Sequence, residues 1–90
     1  MLQTLMPGIG ALERPQNGEH CRIYVTDDKD GICVSVERQK LVTANPRWEV
    51  TSGVDEDEDE VHTYRAFFEF DKEKEADIIV SVQTLLAISE

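Results

Sequence analysis

Basic residues are scarce in this 90-residue chain: nine Lys and Arg stand against nineteen Asp and Glu, for a formal net charge of −10. Affinity for nucleic acid comes mainly from Lys and Arg contacts to phosphate, so the deficit argues against direct nucleic-acid binding. Anionic membrane surfaces are disfavoured on the same ground. Cysteine is also scarce. Cys21 and Cys33 are too few for the disulfide framework of a small secreted domain, and thiols in a reducing cytoplasm are the expectation. No apolar run approaches the roughly 20 residues that a membrane-spanning helix needs. The segment from Met1 to Gly8 has neither a basic stretch nor the apolar core of a signal peptide, and a cytoplasmic location is expected.

Catalytic and metal motifs are missing as well. Zinc would call on His20, Cys21, Cys33 and His62, but there is no C-x-x-C pair, and neighbours such as His20 and Cys21 point to opposite faces of a strand. Nucleophilic catalysis needs a histidine within reach of a Cys or Ser. No Ser sits in a G-x-S-x-G elbow, and a Cys33–His62 dyad depends on strand order. Thr26 to Glu37 partly fits a calcium loop through Asp28, Asp30, Gly31 and Glu37, yet Thr26 stands where the first acid belongs and both flanks alternate like strands. Gly8-Ile9-Gly10 opens like a dinucleotide fingerprint, but Glu13 occupies the third glycine position and no strand precedes it. The expectation is a protein that is not an enzyme and holds no cofactor or metal.

What is present organises into one domain, the size at which a chain buries about 60 to 65% of its unfolded surface. Residues 1–18 read as an irregular arm: Leu2, Leu5, Met6, Ile9 and Leu12 have near-helical spacing, but Pro7, Gly8 and Gly10 interrupt it. Cys21, Ile23 and Val25 alternate with Arg22, Tyr24 and Thr26, and Ile32, Val34 and Val36 alternate with Cys33, Ser35 and Glu37. The turn formers Asp27 to Gly31 between them predict a β-hairpin. Centred on Lys29, it would place Val25 opposite Cys33 and Cys21 opposite Glu37, leaving the thiols out of register for a disulfide.

A short third strand is expected over residues 47–51, after Asn45-Pro46, with Trp48 and Val50 on one face. The longest strand is predicted over Val61 to Phe70, its core side formed by His62, Tyr64, Ala66, Phe68 and Phe70; Phe67 on the other side then needs cover. From Asp71, as N-cap, a helix is predicted to about Ser89, its stripe formed by Ile78, Ile79, Val82, Leu85 and Leu86. The fold class is therefore α+β: a small antiparallel sheet in the order β-β-β-β-α, covered by one C-terminal amphipathic helix.

The charge is placed unevenly, with twelve acids and three bases after residue 50. Residues 53–60 read as an exposed, mobile acidic loop carrying six consecutive acids, Asp55, Glu56, Asp57, Glu58, Asp59 and Glu60. Glu69, Asp71 and Glu73 continue the series. One reading is a solvated loop and a favourable helix start that keep the protein soluble. The other is an acidic face that docks on Lys and Arg of a partner, the basic surface of a nucleic-acid-binding protein included, as an inhibitor or nucleic-acid mimic. Those nine residues are then the partner-binding set. A different class of function is assembly, with the apolar arm docking on a neighbour or on a second copy; the chain is expected to be a monomer or a homodimer.

Overall fold

In the computed structural model, which describes Leu12 and residues 18–88, four strands and one helix follow in the predicted order. β1 (Cys21–Asp28) and β2 (Gly31–Arg38) form the hairpin, β3 (Glu49–Val54) and β4 (Glu60–Glu69) a second one, and α1 (Glu75–Ala87) closes the domain. The sheet order is β1-β2-β4-β3 with every neighbouring pair antiparallel. Most of the arm expected over residues 1–18, and Ser89, lie outside the described residues; Leu12 packs against the core.

The first hairpin differs from the expected register by one residue. Val25 faces Val34 and Ile23 faces Val36, because Asp28 pairs with Gly31 and only Lys29 and Asp30 turn the corner. A one-residue slip moves every side chain to the other face, so this register is the one that puts both apolar rows on the same side. Cys21 then faces Arg38 and Cys33 faces Thr26, and the two cysteines are not disulfide-linked. Gly31 serves close approach: a Cβ there would lie 2.0 Å from the Phe68 carbonyl oxygen.

The third strand begins later than predicted and runs further. Asn45-Pro46 opens a turn in which the Trp48 N–H donates to the Asn45 carbonyl (2.9 Å) and the Arg47 N–H to Asn45 Oδ1 (2.9 Å). That turn consumes Arg47 and Trp48, and Trp48 inserts edge-on against Phe68 (centroids 6.0 Å apart) as core. Pairing with β4 instead extends through Gly53 and Val54, which the sequence assigns to the loop.

The helix is shorter than the predicted 71–89. Asp71 does not cap it; Lys74 is the N-cap and makes no side-chain cap hydrogen bond. The Lys72 and Glu73 N–H groups both donate to the Glu69 carbonyl, so residues 70–74 form a turn before the helix starts. The stripe is as predicted, with Ile78, Val82, Leu85 and Leu86 buried and Ile79 half-buried. It packs with Ile32, Val34, Val36, Tyr64, Ala66 and Phe68 of the sheet into one core. Phe70 lies beyond β4 and is exposed, correcting its assignment to the core face.

Residues 39–48 cross from β2 to the outer edge and are pinned by Tyr64. The Val42 N–H donates to the buried Tyr64 hydroxyl (2.7 Å), which donates back to the Val42 carbonyl (3.2 Å).

Candidate acidic interface

The β3–β4 hairpin projects the acidic run from one end of the sheet. Val54 pairs with Glu60, so residues 55–59 make the turn. It is hydrogen-bonded where the sequence predicts an open loop: the Asp55 N–H donates to the Asp59 carbonyl (2.9 Å) and the Glu58 N–H to the Asp55 carbonyl (3.1 Å). Asp55 Oδ1 accepts from the Asp57 and Asp59 N–H groups, each at 2.9 Å. An Asp side chain that binds backbone two residues on is an Asx turn, which is why this run folds where generic acids would not. Glu58 completes the reversal at φ 64°.

With the backbone donors turned inward, Glu56, Asp57, Glu58, Asp59 and Glu60 are exposed and Asp55 is half-buried. Carboxylate oxygens of Asp55, Asp57 and Asp59 converge to within 4.8 Å of one another. Like charges this close repel, and an arriving ammonium or guanidinium relieves that repulsion as well as gaining charge-assisted hydrogen bonds. Beside the turn, His20, Arg22, Glu37 and Gln39 border a polar cleft whose other wall is the turn itself. Arg22 is held above its ordinary pKa, chiefly by a hydrogen bond with Tyr24, with Glu37 and Glu56 adding Coulombic attraction.

The other three predicted interface residues are elsewhere. Glu69 closes the ten-residue β4 and Asp71 and Glu73 follow it, about 30 Å from the turn at ~3.3 Å per residue. Glu69 and Glu73 make local contacts. Glu73 accepts from the Glu69 N–H (2.8 Å) and pairs with Arg47. Glu69 stands 3.5 Å from Lys72. Arg47 also lies over the Phe68 ring at 4.2 Å and donates to the Phe67 carbonyl (3.2 Å), sealing the edge of β4 beyond the start of β3. The nine acids therefore form two separate groups.

Sheet order separates Cys33 from His62. Cys33 pairs with Phe67 on the face opposite the helix, whereas His62 is buried on the helix side opposite Arg38. His62 is seated by Ser52, with Oγ 2.7 Å from Nδ1; Glu60 is 3.6 Å from Nε2, beyond hydrogen-bond reach. The residues of the partial calcium loop are spread over the first hairpin, with Asp28 ending β1, Asp30 in the turn, and Gly31 and Glu37 on β2.

The buried ion pair Arg38–Glu19 is the feature that sequence reasoning missed. Arg38 Nη2 and Nε donate to Glu19 Oε1 (2.9 Å) and Oε2 (3.1 Å), and Nη1 donates to the carbonyls of Leu85 (3.0 Å) and Ile88 (2.8 Å). Glu19 also accepts from the Gln39 and Lys40 N–H groups. Burial by itself would raise the Glu19 carboxyl; the hydrogen bonds from Arg38 and Lys40, the Arg38 charge and the Gln39 bond outweigh it and hold the pKa below the ordinary value. This cluster ties the end of the helix to the sheet and is a structural device.

Comparison with protein-family models, curated proteins and solved structures finds no match to the chain.

Proposed function

We propose that this protein is a small acidic protein-binding module that docks the turn Asp55–Glu60 on a basic surface of a partner protein. The observation that carries the reading is the projected turn: six acids held in a defined, hydrogen-bonded shape, five of them exposed. A solubilising loop has no need of a fixed shape, whereas docking gains from groups ordered before contact. Glu69, Asp71 and Glu73 are left out of the interface, because Glu69 and Glu73 serve the Arg47 and helix-entry contacts and all three lie at the far end of β4. Inhibition of a nucleic-acid-binding protein by competition is one form of this function; in that form the turn alone stands in for phosphates. The test is affinity capture from host lysate at low salt, with mass spectrometry of what elutes as salt rises. A basic protein eluting at moderate salt is expected. Recovery of the chain alone overturns the reading.

A further inference from the structure

The acidic turn ends a strand whose outer edge is left open among the described residues. β3 is the outermost strand on its side, paired only with β4, and all six of its residues, Glu49 to Val54, are exposed. Its pairing with β4 runs without a bulge. Protein edges are ordinarily guarded against strand addition by Lys, Pro, bulges or a covering element. Among the described residues β3 has none of these, and its one charged side chain is Glu49. From residue 48 to residue 64 the chain holds seven acids and no Lys, Arg or Pro.

The inner face of this edge is also uncovered. Val50 and Val54 lie on the same side of the sheet as buried Tyr64, yet are 41% and 66% exposed. The sheet thus extends one strand past the cover of the helix. On the opposite edge the equivalent residues of β1, Cys21, Ile23 and Val25, pack against the core. Next to the start of β3, Trp48, Val80, Leu85 and Ile88 border a shallow groove of about 150 Å³ between the crossing segment and α1.

We infer that β3 is the docking edge for an extended segment of the basic partner, which adds as a fifth, antiparallel strand with its Lys or Arg residues against the turn Asp55–Glu60. The inference rests on the acidic-docking reading above and specifies its geometry. Main-chain hydrogen bonds to the open edge supply affinity, alternate apolar residues cover Val50 and Val54, and the charges fix direction. Antiparallel pairing is the more stable kind, and it sets the N-terminal end of the segment beside the turn. Charge complementarity selects this occupant over a second copy, because pairing two edges of a chain with net charge −10 brings like charges together.

The probe is a synthetic peptide, Lys-Lys-Lys-Val-Thr-Val-Thr-Val, titrated at low salt into the full-length 15N-labelled protein. Two further versions carry N-methyl groups on one or the other set of alternate residues in the Val-Thr segment. A strand added to an edge uses only one of its own two edges, so one methylated set should weaken binding by about tenfold or more and the other should bind nearly as the parent. Amide shifts should cover Glu49–Val54 together with the turn. Equal binding of both methylated peptides, with shifts confined to residues 55–60, overturns strand addition and leaves the acidic-docking reading standing. Shifts along β1, or β3 shifts that follow protein concentration without peptide, overturn it in favour of the other edge or of a second copy. No binding by any peptide counts against both.

Discussion

Removing the carboxylate of Glu19 tests whether the buried ion pair ties sheet to helix. The Arg38 side chain is 0% exposed and that of Glu19 is 2% exposed. Glu19→Ala leaves Arg38 Nε and Nη2 and the Gln39 and Lys40 N–H groups without their acceptor. Breaking a buried pair by deleting one partner costs about 3–5 kcal/mol. The two carbonyls that Arg38 retains, those of Leu85 and Ile88, place the cost near the lower end, about 3 kcal/mol. Against a total stability of roughly 5–13 kcal/mol for a chain this long, that is a large share. It corresponds to a fall in Tm of about 12–24 °C.

Urea unfolding followed by the single, buried Trp48 reads the change directly. The pH dependence has a definite sign. The folded pKa of Glu19 is below the ordinary 4.5, so its stabilisation is fully present above that value and is lost as pH falls through the lower folded one. The stability difference between wild type and Glu19→Gln should therefore be constant above 4.5 and shrink below it. A cost under about 1 kcal/mol for Glu19→Ala, the size of a surface pair, would refute the assignment of this cluster as a structural tie.

Other substitutions probe the hairpins. Gly31→Ala drives a Cβ to 2.0 Å from the Phe68 carbonyl and 2.9 Å from the Phe67 ring; urea unfolding should show a loss of about 2 kcal/mol or more. Glu58→Gly relieves a left-handed backbone at φ 64° and should raise stability by up to about 1 kcal/mol, after the glycine entropy cost. Raising salt from low to moderate screens the net charge of −10; a thermal melt should show Tm rising by a few degrees, about what a fraction of a kcal/mol gives.

Element types were legible because the periodicities were strong. The rows Ile32-Val34-Val36 and Tyr64-Ala66-Phe68 have period two, the helix stripe has period 3.6, and all bury as read except Ile79, which is half-buried. What escaped was decided by turn geometry and side-chain contacts that periodicity does not carry. The hairpin register depends on matching two apolar rows across the turn, which centring on Lys29 ignored. Trp48 looked like a strand residue because its place in the alternation does not show the Asn45 turn, closed by one backbone and one side-chain bond, that redirects it. Asp71 has good capping chemistry, but the Glu73 carboxylate, held by the Glu69 N–H and Arg47, delays the helix.

The candidate site was legible in part. Six adjacent acids announce an exposed turn, but only the backbone shows that Asp55 organises it. The separation of Glu69, Asp71 and Glu73 from it follows from the length of β4, which the sequence also predicted. A signal for the Arg38–Glu19 pair was present: Arg38 continues the inward row of Ile32, Val34 and Val36, and an inward-facing Arg requires an acidic partner.

The most direct test of the central claim neutralises the turn without dissolving it. Glu56→Gln, Asp57→Asn, Glu58→Gln and Glu60→Gln together remove four charges and keep the Asp55 carboxylate that holds the turn. The affinity of this variant for the partner captured by the wild type is measured at low salt, with Trp48 fluorescence confirming the fold. Four lost charge contacts at roughly 0.5–0.8 kcal/mol each predict a weakening of about 30- to 200-fold. An affinity within about twofold of wild type, less than half a kcal/mol, would contradict the claim that the acidic turn is the docking element.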